Sequence, residues 1–298
     1  MSSEILSALW QSAAQQQFPT HALYLVATPI GNQADISIRA LAVLSKVDAI
    51  ACEDTRHSKT LLNQYGIQKP LIAAHEHNEE AAAQQIVARL NDGESVALVS
   101  DAGTPAISDP GARLVARVRA AGHRVIPLPG PCAAIAALSA SGLTDPHFLF
   151  YGFLPAKSRQ REDALREVGG LPYALVFYEA PHRILDTVAS LNTVLGEART
   201  LVIARELTKL FETIHVCRLG DALPWFEADS NRQRGEFVLM ISGAPETNDD
   251  RESERVLQIL LDDGLAVSQA ARLAHAITGA SKNALYERAL SLKKSESA

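Results

Sequence analysis

From Leu23 onward the chain repeats one pattern, in which short runs of Val, Ile, Leu and Ala alternate with stretches of helical periodicity. A run that is apolar at every position has no face to give to water, so it can be stable only between two covering layers. The repeat therefore demands a largely parallel sheet with helices on both faces. Strands are predicted at Leu23–Ala27, Ala49–Cys52, Leu71–Ala74, Val96–Ser100 and Val125–Leu128, with helices near Ile36–Ser45, Ser58–Gln64, Glu79–Asn91 and Ala112–Ala121. Together they make a first α/β domain over residues 21–141.

A second α/β domain over 142–243, entered by a seam near Gly142–Pro146, carries the runs Phe148–Phe153, Tyr173–Tyr178, Leu201–Ala204, Thr213–Cys217 and Phe237–Ile241. The later runs follow one another with fewer helices between them, which predicts antiparallel pairing and hence a mixed sheet. Residues 244–253 are polar and acidic and read as a linker. A small helical module over 254–298 follows, with helices at Glu254–Asp263, Ser268–Ile277 and Lys282–Lys293, the second opened by Ser268 as N-cap and ended by Gly279. Three short helices with a glycine turn suit a helix-turn-helix-like unit, and equally a packing cap. Residues 1–20 hold Glu4 and the run Gln15–Gln17 without a basic start or a long apolar core. They are neither a signal peptide nor a membrane span, and are expected to be a mobile tail.

With 28 basic against 34 acidic residues the net charge is −6, so bulk attraction to nucleic acid is excluded and any such affinity must be local. The candidate patches are Lys157, Arg159, Arg161 and Arg166, and Lys282, Arg288, Lys293 and Lys294; each also reads as a solvated helix face. Cys52, Cys132 and Cys217 form no CxxC motif and are odd in number, which fits a reducing cytoplasm. His75 and His77 flank Glu76 but lack a third ligand on their face, so no metal site is expected.

Three loops rich in glycine and proline follow strands of the first domain, at the rim where α/β proteins bind ligands. The first, Ala27–Asn32, has only Gly31 and so lacks the GxGxxG dinucleotide fingerprint, even though Glu53 and Asp54 stand where a ribose-binding carboxylate would. The second, Ser100–Gly111, packs two Asp, two Pro and two Gly into one turn and exposes backbone polar groups to a ligand. The third, Pro127–Cys132, leads into a helix N-terminus.

Read together, Ala27–Asn32, Cys52–His57 (CEDTRH), Ser100–Pro105 (SDAGTP), Tyr178–Arg183 (YEAPHR) and Ala204–Lys209 (ARELTK) resemble the ribosomal RNA small subunit methyltransferase I family, in the tetrapyrrole methylase-like superfamily. The resemblance runs over Leu23–Ile241, and the terminal helices resemble that family's helical domain. It implies a two-domain tetrapyrrole methylase-like fold, plus the helical module. It further implies a homodimer that transfers the methyl group of S-adenosylmethionine to the 2′-hydroxyl of a cytidine, in small-subunit ribosomal RNA near the decoding centre. The donor would touch Pro29, Asp101, Ala102, Gly103, Ile107, Ser108, Cys132 and Ala133 on the first domain. On the second it would meet Tyr178, Ala204, Arg205, Gly235 and Glu236. Where the tetrapyrrole enzymes carry Gly-Asp-Pro after the fourth strand, this chain has Ser100-Asp101-Ala102-Gly103.

Methyl transfer from a sulfonium is an in-line displacement, helped by alignment and by a group that manages the acceptor proton or its charge. Glu206 with Lys209 is the expected catalytic pair; a structural salt-bridge network is the other reading of the same segment. Asp54 and Arg56 join them as catalytic candidates, or simply pair with each other. His57, Lys157, Arg159 and Arg183 are candidate RNA contacts, since specific RNA recognition targets unpaired nucleotides. Two competing functions remain at this point: a small-molecule or protein methylase of the same fold, and a ligand-sensing regulator that binds nucleic acid without turnover.

Overall fold

The structure, a computed structural model, describes residues 3–245 and 250–296. Five parallel strands, β1 (Ala22–Val26), β2 (Ala49–Cys52), β3 (Leu71–Ala73), β4 (Val96–Val99) and β5 (Arg124–Leu128), form the first sheet in the order β3-β2-β4-β1-β5. Every residue of β2 and β4 is buried, as runs without polar alternation require. The second sheet contains β6 (Phe148–Phe153), β7 (Ala174–Glu179), β8 (Thr200–Arg205), β9 (Thr213–Arg218) and β10 (Phe237–Ile241), ordered β6-β7-β10-β8-β9. Only β6 and β7 pair in parallel; the remaining neighbours are antiparallel, so the sheet is mixed.

The helices in chain order are α1 (Ser3–Gln15), α2 (Ile38–Lys46), α3 (Thr55–Gln64), α4 (Glu79–Asn91), α5 (Ala112–Ala120), α6 (Ala133–Ser139), α7 (Ser158–Gly169), α8 (Ile184–Leu195) and α9 (Ala222–Glu227). Both sheets lie in one compact unit formed by residues to 169 and 173–242. The expected mobile tail is in fact α1. Its Leu, Ala, Gln and Glu are strong helix formers, Ala13 is buried, and Lys46 of α2 donates from Nζ to the carbonyls of Ala14 and Gln16 at the helix end. α3 starts three residues before its expected first residue. Asp54 is its N-cap, accepting from the amides of Arg56 (2.7 Å) and His57 (3.4 Å).

A second compact unit comprises 170–172 and the residues from 243 on. Here α10 (Asp250–Asp262), α11 (Val267–Thr278) and α12 (Lys282–Glu296) share a core of Leu257, Leu261, Ala270, Ala271, Ala274, Leu285 and Ala289. The helix begins at Asp250, inside the expected linker, of which residues 246–249 lie outside the described residues. The side chains of Lys293 and Lys294 likewise lie outside what is described. Ala266, rather than Ser268, holds the N-cap position of α11, with no side-chain cap. Gly279 ends the helix in the left-handed region (φ 75°), as expected. No helix among the described residues is long and apolar enough to cross a membrane.

Candidate active site

Because β4, β1 and β5 are neighbours and all run the same way, the loops leaving their carboxyl ends must emerge side by side. They are also tied together. Thr28 and Gly103 exchange both backbone hydrogen bonds (2.9 and 3.0 Å), and the Thr28 hydroxyl donates to the Ser100 carbonyl at 3.0 Å. The Thr104 hydroxyl donates to the Pro131 carbonyl at 2.9 Å. At the far end, the buried carboxylate of Glu79 accepts from the amides of Gly111 and Leu114, both at 3.0 Å, and so caps α5 from outside. Within this anchored loop Ala106 (φ 65°) and Ser108 (φ 60°) are left-handed, a conformation that costs a non-glycine residue on the order of 1 kcal/mol and recurs at ligand sites.

The second sheet supplies the opposite wall. Gly152 sits at a register shift in β6 with φ 82°, and a Cβ there would lie 2.7 Å from the Ser108 hydroxyl oxygen. Only a glycine lets that hydroxyl approach the strand. Tyr178 of β7 accepts from the Ala134 amide at the start of α6 (3.1 Å); burial, then contacts with Cys132, keeps its phenol well above the ordinary range despite that amide.

After β8 the chain turns sharply through Glu206 (φ 51°) and Thr208 (φ 66°). The turn carries a three-membered charge cluster. Lys209 Nζ donates to Glu206 Oε1 at 2.9 Å and to Glu236 Oε2 at 2.8 Å, while the Glu236 amide also donates to Glu206 Oε1 at 3.0 Å. Burial alone would raise the Glu206 carboxyl, but Lys209 and the Glu236 amide outweigh it and hold it below its ordinary value. Burial works against the Lys209 ammonium, yet Glu236 and Glu206 push it above its usual range. Lys209 is therefore a fixed cation and Glu206 a fixed anion at neutral pH.

Between the two walls lies a cleft of about 300 Å³. It is lined from the first sheet by Ile30, Ala102–Thr104, Ile107–Asp109, Cys132 and Ala133. The second contributes Phe153, Tyr178–Pro181, Leu207, Lys209 and Glu236–Val238. Of the residues expected to hold the donor, Ala102, Gly103, Ile107, Ser108, Cys132, Ala133, Tyr178 and Glu236 meet here, together with Lys209.

The other candidates lie elsewhere. Pro29, Asp101 and His57 open onto an adjoining pocket of about 370 Å³, which shares Ile30 and Ala102 with the cleft. Ala204 is wholly buried and packs beneath the cleft with Val238 and Leu207. Arg205, Glu206 and Gly235 face a separate groove. The Arg205 guanidinium there donates to the carbonyls of Arg234 (2.7 Å) and Phe211 (3.1 Å), and Glu206 reaches Lys209 from behind. Asp54, considered for catalysis, is a helix cap whose carboxyl is held low by the Arg56 and His57 amides; Arg56 is exposed on the same turn.

The basic patch around the start of α7 shrinks to Lys157 and Arg159, which are exposed. Arg161 is buried on Ser190 and the Ala156 and Asp186 carbonyls, and Arg166 pairs with Glu162 and Asp163. Arg183 turns inward to Glu179 (3.3 Å) and to the Leu154 carbonyl. Asp109, the second acid of the Ser100–Gly111 loop, also lines the cleft, a role that its residue type in that loop does not by itself announce. It is half-buried, and its carboxyl is pushed up to about 6 by that burial and then by the negative charge of Glu53. Among the described residues no group of three or more His, Cys, Asp or Glu is placed to hold a metal ion.

Comparison with known proteins gives the family and the fold. Residues 22–223 match the family described as tetrapyrrole (corrin/porphyrin) methylases, and residues 247–293 match the RsmI C-terminal HTH domain. Ribosomal RNA small subunit methyltransferase I of Escherichia coli O157:H7 is 52% identical over 269 residues, covering 90% of this chain and 94% of that protein. The protein of the same name from Pseudomonas aeruginosa is 52% identical over 272 residues, covering 90% and 96%. Among solved structures, the methyltransferase CobJ superposes with a TM-score of 0.56 at 20% identity, covering 75% of this chain and 94% of that one. The cobalamin biosynthetic enzyme cobalt precorrin-4 methyltransferase gives 0.54 at 15%, covering 74% and 94%. At those identities the likeness is one of fold.

Proposed function

The chain belongs to the ribosomal RNA small subunit methyltransferase I family, and from that premise we propose that it transfers the methyl group of S-adenosylmethionine to the 2′-hydroxyl of a cytidine in small-subunit ribosomal RNA. The observation that carries this reading is the cleft itself. A backbone-lined rim on one sheet faces an apolar wall and a locked lysine on the other. The residues fit the donor. S-adenosylmethionine brings a sulfonium and an ammonium, and Asp109 offers a carboxylate whose charging is held back by burial and by neighbouring negative charge, so that it favours a cation beside it. When bound, the donor supplies an activated methyl group. Ala102, Gly103, Ile107, Ser108, Cys132, Ala133 and Tyr178 would hold it, their backbone and apolar surfaces excluding water.

An attacking hydroxyl gains negative charge as its proton departs. The Lys209 ammonium, kept in place by Glu206 and Glu236, lowers the cost of that charge, and Glu206 positions it without facing the cleft. Work in the cytoplasm suits the RNA substrate and the three free cysteines. Association with a second copy is supported by exposed Ile214 and Val216 on the edge strand β9 and by exposed Leu210 and Phe211 just before it.

The deciding assay incubates the protein and labelled donor with small ribosomal subunits, naked ribosomal RNA and a tetrapyrrole precursor, then locates the label by mass spectrometry. Label on a cytidine ribose is expected. Label only on the tetrapyrrole, or on a base, would refute the reading, and a monomer mass by light scattering would remove the dimer.

Asp109 adds a pH dependence. Its folded pKa lies above that of a free aspartate, so charging it opposes the folded, empty state. That opposition is absent below pH ~4 and complete above pH ~6. A cation in the cleft removes it. Donor affinity is therefore expected to rise with pH through about 6; at pH 5 only about a tenth of the carboxyl is ionised, which weakens binding about tenfold relative to pH 7.5. Calorimetry at the two pH values measures this. Asp109→Asn should flatten the dependence, and an unchanged slope in that variant would assign it to another group.

A further inference from the structure

The pocket beside the donor cleft has a construction of its own. Its outer wall is one stripe of α3, in which His57, Thr60, Leu61 and Gln64 recur at the spacing of a single helix face. Its inner wall is the 29–33 loop and Asp101. The Gln33 carbonyl accepts from the Tyr65 hydroxyl at 2.8 Å, and the Asp54 amide stands 3.4 Å from Asp101 Oδ1, so both walls are braced. In a chain of net charge −6, residues 55–64 include Arg56, His57 and Lys59 and no acid. The positive end of the helix adds to that local field. At about 370 Å³ the pocket falls in the size range of small-ligand sites, and it joins the donor cleft through Ile30 and Ala102.

We propose that this pocket receives the unpaired base of the acceptor nucleotide and that Asp101 selects cytosine there. The proposal rests on the ribose-methylation reading above. A ribose placed at the Ile30–Ala102 junction turns its hydroxyl toward the donor cleft and its base toward α3. Leu61, Ile30 and Pro29 present apolar surface to the flat base, while Gln33, Thr60 and Gln64 offer hydrogen bonds to its edge. A carboxylate only accepts hydrogen bonds. It therefore accepts from the exocyclic amine of cytosine and meets an unfavourable acceptor on uracil. Arg56 and Lys59 flank the entrance as partners for the adjoining phosphates.

The test uses the full chain and short unpaired RNAs that carry C or U at the acceptor position, with S-adenosylhomocysteine for binding and labelled S-adenosylmethionine for methylation. Both equilibrium binding and single-turnover methylation are measured. Wild type is expected to favour C at least tenfold in binding, and Asp101→Asn to reduce that preference to threefold or less. Leu61→Trp, which fills the pocket, should weaken binding of both RNAs tenfold or more and leave calorimetric donor affinity unchanged. Gln64→Glu, at an exposed position that tolerates substitution, should weaken both by a similar factor. Retention of the C preference by Asp101→Asn, or wild-type RNA binding by Leu61→Trp and Gln64→Glu, would overturn the proposal while leaving methylation intact. Discrimination in binding without methyl transfer to RNA would support the pocket and refute the methylation reading instead.

Discussion

Lys209→Ala is expected to slow single-turnover methyl transfer about a hundredfold to a thousandfold, the usual cost of removing one preorganised charge from a site of developing negative charge. The size of that loss follows from what holds the ammonium. Two carboxylates grip Nζ at 2.9 and 2.8 Å, and the Glu206 side chain is only 18% exposed. Removing the lysine leaves Glu206 and Glu236 facing one another across the Glu236 amide, so the wall of the cleft changes from a satisfied cation to surplus negative charge. An attacking oxygen would then be repelled where it had been stabilised. Lys209→Arg should rescue little, because a planar guanidinium cannot copy a point charge seated between two carboxylates. Glu206→Gln retains an oxygen for the Glu236 amide and for Nζ and should cost only about tenfold. Quenched-flow transfer from labelled donor separates the three variants. Equal losses in all of them would mark the cluster as structural, and wild-type rates in Lys209→Ala would remove it from the chemistry.

The parts of this protein legible in its sequence are those decided by local periodicity. β2 and β4 are apolar at every position because both their faces are covered, and that pattern alone locates them. Gly279 ended α11 as expected because a left-handed residue after a helix strongly favours glycine. Failures came where one residue did something its type does not advertise. α7, which links β6 to β7, is hinted at only as a basic helix face and gets no bounds from periodicity, because the face it buries includes Arg161 beside Ala164, Leu165 and Val168. An arginine satisfied by Ser190 and two carbonyls breaks the apolar stripe that would have announced a helix. Asp54 read as an acid with chemistry to do, whereas its carboxylate serves two amides of α3. The cleft was half legible. Loops on neighbouring parallel strands must share a rim, but which residues of the second sheet would face them depends on register and on the turn after β8, neither of which periodicity encodes.

That turn also ties the reaction to Gly31. Gly31→Ala should lower methyl transfer about tenfold to a hundredfold with little loss of stability. The backbone at Gly31 is not in the left-handed region, so alanine suits it locally. The obstacle lies across the cleft. A Cβ at Gly31 would stand 2.5 Å from Lys209 Cγ, 2.8 Å from the Thr208 hydroxyl oxygen and 3.1 Å from the Leu207 carbonyl oxygen. The lysine stem can rotate away, but then Nζ leaves Glu206 and Glu236; if the turn withdraws instead, the Asn32 amide loses its 3.1 Å bond to the Thr208 hydroxyl. Either response moves the ammonium by roughly an ångström, and displacements of that size can cost as much as a hundredfold in rate. Stability should change little because the affected groups are at the surface of the cleft and water can replace the lost bond. Thr208→Gly in the Gly31→Ala background removes one of the three clashes and relieves a left-handed threonine, so it should recover part of the rate. Thermal melting run beside the kinetics decides the interpretation. A rate loss with an unshifted Tm places the defect at Lys209, whereas a Tm lowered in proportion would mean that Gly31 serves the fold and not the reaction.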